Sequence, residues 1–136
     1  MTDSIRRVDS YSLEVADKPG EAYRVLSWLE EAGVRLVYFN AYPVGDHKAK
    51  IDLVVEDPAG LAQAAASHGL PPLGRTPAFM VSGSEGPGRV AQVMRNLADA
   101  RVNVHAATGT VQRGSYGLIL WITPADLEAA LRALRL

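Results

Sequence analysis

The sequence predicts an α+β chain made of two tandem repeats, each an antiparallel sheet covered on one face by two helices in the split β-α-β, or ferredoxin-like, order. Three observations predict it. An alternating strand runs into Asp17-Lys18-Pro19-Gly20-Glu21 and then into an amphipathic helix, and the same sequence of events recurs around Glu85-Gly86-Pro87-Gly88-Arg89. A constant offset carries Tyr11 onto Phe79, Leu13 onto Val81, Val25 onto Val93, Leu29 onto Leu97, Ala32 onto Ala100 and Val34 onto Val102. After a hairpin two residues shorter, Asp57-Pro58-Ala59 falls on Thr123-Pro124-Ala125 and Leu61 on Leu127. Internal repetition of this kind decides a fold more firmly than local propensity does.

Taken in order, Tyr11, Leu13 and Val15 alternate with Ser12 and Glu14, the period of a half-buried strand. The helix after Pro19 places Ala22, Val25, Leu26, Leu29 and Ala32 on one stripe and ends at Gly33. Val34 to Pro43, rich in β-branched and aromatic residues, reads as a second strand, with Gly45-Asp46-His47 as a hairpin tip. Lys48 to Glu56 returns with Ala49, Ile51, Leu53 and Val55 on one side, and Pro58 to Ser67 is an alanine-rich helix stopped by His68-Gly69. Leu70 to Pro77 carries three prolines and is an edge strand or an extended linker. The expected domains are residues 1–76 and 77–136. The second repeat reaches Leu136 straight after its helix and so lacks its last strand; the bare edge of Phe79 to Gly83 calls for cover by the linker, the N-terminal arm or another subunit.

The second repeat is also expected to pair with a second copy. Counting from the first repeat assigns Met80, Leu118, Leu120 and Ile122 to the face away from the helices, where the first repeat has Ser12, Glu14, Lys50 and Asp52. Burying four such side chains is worth about 1.5 to 3 kcal/mol each. A homodimer packed through the second sheet follows from that assignment.

Composition narrows the function. With 136 residues, 48% hydrophobic, the chain is large enough for a core. Fourteen basic against 15 acidic residues, a net charge of -1, leave no global footprint for nucleic acid. Having no cysteine excludes disulfides, thiolate catalysis and sulfur-ligated metals. Arg6 and Arg7 are not followed by a signal-type apolar run, and no stretch nears the roughly 18 apolar residues of a membrane span, so a cytoplasmic protein without membrane contact is expected.

The two Pro-Gly turns carry the functional lead. Proline suits the first helical position, which makes Lys18 and Gly86 the expected N-caps, and neither has a side-chain oxygen to accept from first-turn N–H groups. By contrast Asp57 and Thr123 are good caps, with Asp126 at the capping-box position. Two helix starts therefore read as closed and two as open, and an open start holds a carboxylate or phosphate. The plainer reading is punctuation only, with water or Asp17, Ser84 or Glu85 satisfying the amides.

With strand, Pro-Gly turn, helix and strand laid out twice, the chain resembles the ACT domain family, as a small protein of two ACT domains. The resemblance rests on Val15-Ala16-Asp17-Lys18-Pro19-Gly20, Leu29-Glu30-Glu31-Ala32-Gly33-Val34 and Val54-Val55-Glu56-Asp57-Pro58. The second copy repeats it in Gly86-Pro87-Gly88, Leu97 to Val104 and Ile122-Thr123-Pro124. It implies a regulatory module that binds small ligands, usually free amino acids, between the first turn of one domain and the second strand of its neighbour. Carried over, the ligand-binding residues are Asp17, Lys18, Pro19, Gly20 and Glu21 with Asn103, His105 and Thr108, and Glu85, Gly86, Pro87, Gly88 and Arg89 with Asn40. Arg101 departs from the glycine that often precedes the second strand, and Ser82-Gly83-Ser84 dilutes the usual apolar strand end.

Other residues add little. His47, His68 and His105 lack metal-pair spacing, so neither metal nor cofactor is expected, and His105 reads first as packing and second as a ligand contact. Tyr38, Phe39 and Tyr42 resemble the sheet aromatics of an RNA-binding fold without its basic surface. Trp28 and Trp121 read as core or interface residues, and no nucleophile motif appears. The expectation is a non-enzymatic amino-acid-binding regulator, with a regulated enzyme as a further partner. Alternatives are an interaction module without ligand, or an enzyme on a dimeric ferredoxin-like frame.

Overall fold

The structure is a computed structural model describing residues 4–84 and 86–135. The described residues form six strands and four α-helices: β1 (Ser4–Ala16), α1 (Glu21–Glu31), β2 (Leu36–Gly45), β3 (Lys48–Val55), α2 (Pro58–Ser67), β4 (Arg75–Ser84), α3 (Arg89–Asp99), β5 (Val104–Gln112), β6 (Ser115–Ile122) and α4 (Leu127–Leu134). This is the α+β, twice-repeated ferredoxin-like architecture that the sequence predicts. The chain divides into two compact units, Asp9–Thr76 and Met1–Val8 with Pro77–Leu136.

In the Asp9–Thr76 unit the strands run β2-β3-β1. Antiparallel pairing sets Tyr11 opposite Leu53, Leu13 opposite Ile51 and Val15 opposite Ala49, and residues opposite each other share a face. That face meets Val25, Trp28 and Leu29 of α1 and Leu61, Ala64 and Ala65 of α2. The alternation seen in the sequence therefore becomes the core directly. The Leu70 to Pro77 stretch divides: Leu73 N–H donates to Ser12 carbonyl oxygen at 2.7 Å, while Arg75 onward belongs to β4.

In the other unit the order is β1-β4-β6-β5, with only the first residues of β1 belonging to it. The N-terminal arm thus stands beside β4, on the edge for which the sequence reading calls for cover. Ile5 packs against this unit's core and Arg6 donates to Met80 Sδ at 3.5 Å.

The register corrects the sequence reading of β6. Phe79 pairs with Leu120 and Val81 with Leu118, so Leu118, Leu120 and Ile122 face α3 and α4 and are core, clustered with Val93, Leu97, Ala130 and Ala133. Only Met80, opposite Ile119, is on the face away from the helices. The cause is where the two-residue shortening falls. The step from Leu53 to Leu120 is one residue shorter than that from Tyr11 to Phe79, and the second residue is lost only after β6. A shift of one residue exchanges the two faces of a strand. β6 is buried on both faces all the same, with Ile119 and Trp121 buried on the outer one.

Candidate functional site

Both helix starts of interest share one backbone device. The N-caps are Gly20 and Gly88, in the left-handed region at φ 91° and 76°, and neither helix has a side-chain cap. Pro19 and Pro87 therefore precede the cap instead of occupying N1, and Lys18 and Gly86 lie outside it. Glycine takes the cap because only it enters that region without a Cβ penalty. A Cβ built on either glycine would meet nothing within 4 Å, so the space over each turn is open.

The other two helix starts differ from expectation. Asp57 caps α2, accepting from Gly60 N–H at 3.0 Å. Thr123 makes no side-chain cap; Pro124–Asp126 is a 3₁₀ turn, and Asp126 turns its carboxylate to Asn103 N–H at 3.2 Å. The division is thus one sealed start against three without a side-chain cap. Asp126 serves the entry to β5 because the acid follows a tight turn and no longer reaches back along its own helix.

Around the first turn lies a cleft of about 410 Å³, lined by Glu14, Ala16, Glu21, Arg24, His47 and Lys48 among others. The hairpin tip reaches it because β1 and β3 pair with Ala16 opposite Lys48, and Asp17 N–H donates to His47 carbonyl oxygen at 2.8 Å. Asp46 and His47 both take positive φ to make this tight tip. Two ion pairs lie in this lining, which Asp46 shares. Glu21 receives both Nε and Nη2 of Arg24, at 3.0 and 2.9 Å, and Lys48 pairs with Glu14 at 3.2 Å. Bonding to Arg24, the largest influence, holds the Glu21 carboxyl below its ordinary range against the opposing pull of desolvation; the Lys18 charge adds to the lowering, and the same pairing raises Arg24.

Around the second turn lies a cleft of about 350 Å³, lined by Gly86, Pro87, Gly88 and Arg89 with Val111 and Tyr116. Arg89 is the one ionisable cation in this lining among the described residues. Apolar Val90, Ala91 and Val111 with the Tyr116 ring make up most of the wall.

Of the remaining residues carried over from the resemblance, Asn40 is exposed on β2 opposite Asp52. Asn103 and His105 are exposed, so His105 is not in the core, and Thr108 is half-buried opposite Ile119. Glu85 lies outside the described residues. Sequence reading missed Arg24, His47, Lys48, Val111 and Tyr116. The signal for the hairpin residues was the antiparallel pairing itself, which returns the tip of the second hairpin strand to the end of the first. Tyr38 and Tyr42 share the face away from the helices whereas Phe39, opposite Leu53, is on the other, so the three aromatics make no common stacking platform. Tyr42 donates to Asp52 at 2.9 Å, and burial, helped by that carboxylate, pushes its phenol up to about 12. No group of three metal-ligating side chains occurs among the described residues, and none of their helices is long and apolar enough to cross a membrane.

The fold is shared with solved proteins. A protein from Bacteroides thetaiotaomicron superposes with a TM-score of 0.82 at 15% identity, over 96% of this chain and 88% of that one. The ligand-free regulatory subunit of aspartate kinase from Thermus thermophilus gives 0.71 at 16%, over 98% and 95%. The corresponding subunit from Thermus flavus gives 0.65 at 18%, over the same shares. No family profile and no curated protein matches the sequence. These neighbours have the tandem ferredoxin-like fold expected from the ACT resemblance, and the aspartate kinase proteins among them are regulatory subunits.

Proposed function

We propose that this protein is a non-enzymatic regulatory module that binds a small carboxylate-bearing metabolite, a free amino acid in the first instance, at the Gly86–Arg89 turn. One observation carries this reading: a helix start with no side-chain cap, Gly88 in the left-handed region, opens beside a cleft whose wall combines Arg89 with apolar Val90, Val111 and Tyr116. First-turn amides and a guanidinium are the donors a carboxylate needs, and the apolar wall suits a ligand side chain. The shared fold with aspartate kinase regulatory subunits supports the same reading. Following the ACT resemblance, the second strand of a second copy completes each cleft, bringing Asn40 to the later turn and Asn103, His105 and Thr108 to the earlier one.

Thermal shift against the twenty amino acids tests this. A true ligand at a hundredfold over its Kd stabilises the folded state by about 2.7 kcal/mol. A folded protein whose melting temperature none of them raises would overturn the reading.

A second reading is favoured by the outer strands. β2 and β5 carry no charged residue and expose Phe39, Val44 and Val111, although uncovered edges are ordinarily defended by charge. They suit edge pairing between copies, in place of the Leu118, Leu120 and Ile122 interface that the register removes. A monomer by light scattering at micromolar concentration would contradict it.

A further inference from the structure

We propose that the first turn is a carboxylate site already filled by the chain's own acid, with Glu21 as an internal plug and Arg24 as the receiving residue. The occupant is visible. The Glu21 side chain is only 13% exposed, and Arg24 grips both carboxylate oxygens in the fork geometry by which arginine recognises carboxylates. Ala16 lines the cleft beside the same group. This guanidinium is the donor that a ligand carboxylate would meet in the 410 Å³ cleft.

Arg24 is also held from a second side, independently of Glu21. Its guanidinium lies 4.8 Å from the Trp28 ring centre, and Trp28 in turn stacks on His68 at 4.1 Å with the planes 15° apart. His68 is tied back by its Nδ1, 3.0 Å from Ala64 carbonyl oxygen. Removing Glu21 therefore leaves the guanidinium seated on an aromatic face, pre-organised to accept another carboxylate.

The repeat supports the assignment. The offset that carries Pro19-Gly20 onto Pro87-Gly88 carries Glu21 onto Arg89, Arg24 onto Gln92 and Trp28 onto Asn96. The position that is an acid in the first turn is a cation in the second. The Arg24-Trp28 stack becomes a plain amide contact there, Gln92 Nε2 donating to Asn96 Oδ1 at 2.8 Å. Among the described residues, the position just after the cap is thus a carboxylate in the first turn and a guanidinium in the second. This inference deepens the proposed function, resting on its premise that these turns accept carboxylates.

The test is Glu21→Ala in the full chain, titrated with acetate and followed by NMR at the Ala16 amide and Arg24 Nε–H. The variant is expected to bind acetate at this cleft about tenfold or more tighter than the parent. Glu21→Gln, which keeps the space filled, gains little, and adding Arg24→Leu to Glu21→Ala abolishes the gain. If Glu21→Ala does not fold, Glu21→Ser opens the same space. No acetate response at Ala16 and Arg24 in a folded variant overturns the proposal, as does an equal response in the parent. The outcome separates from that of the proposed function. Amino acids that stabilise the parent while Glu21→Ala gains nothing sink the plug alone; acetate gained by the variant with no amino-acid response in the parent sinks the regulatory reading alone.

Discussion

The two proline-glycine turns have one backbone and opposite chemistry. Gly20 and Gly88 adopt the same left-handed cap, each without a side-chain acceptor and each under open space. Yet the first turn is lined by several acids and bases, with Glu21–Arg24 and Glu14–Lys48 as ion pairs, while the described lining of the second sets Arg89 beside an apolar wall. The difference teaches that a repeated turn preserves its backbone, helix starts without a side-chain cap, while the residue just after the cap changes from Glu21 to Arg89.

The comparison can be broken first at its frame. Leu120→Ala, in the core of the unit that carries the second turn, should cost about 2 to 5 kcal/mol, measured by chemical denaturation. A loss within about 0.5 kcal/mol is what a solvent-exposed position would give and would break that frame.

Next comes the ligand. Arg89→Ala should weaken the best amino acid by about 1.5 to 3 kcal/mol in calorimetry, the worth of a charge-assisted contact, while Lys18→Ala leaves it unchanged. Equal effects would erase the distinction between the turns. Gly20→Ala and Gly88→Ala should each cost about 1 to 2 kcal/mol of stability, since the left-handed backbone alone is strained and no atom is met. Asp57→Ala should cost about 1 kcal/mol through its lost cap, with Thr123→Ala close to neutral.

The smallest effect is in pH. The Glu21 carboxyl titrates below its ordinary value in the folded chain, so its contribution is present above its unfolded value and lost as pH falls through the folded one. The melting-temperature gap between the parent and Glu21→Gln should therefore close on acidification, and an unchanged gap would deny the Arg24 pairing.

Much of the frame was legible in the residues. Helix α2 spans Pro58–Ser67 as its caps and composition predict, and Leu13, Val15, Ile51, Leu53 and Val55 are buried as their alternation predicts. The uncapped turns were legible too, because Pro-Gly leaves no side chain to seal them. What was misread turned on single-residue spacing. One residue lost before β6 and one after it exchange the faces of Leu118 and Ile119, and no composition or period records where such a deletion falls.

The lining of the clefts was decided only by the tertiary structure. His47 and Lys48 come to the first turn through antiparallel pairing, and Val111 and Tyr116 to the second through the β5–β6 hairpin, contacts between segments distant in sequence. The sequence by itself determined which strands and helices exist and that the pattern occurs twice, because these follow from local periodicity and turn chemistry. Register, and with it the face each side chain takes and the partner each charge finds, belongs to the folded chain, since it depends on where distant strands align.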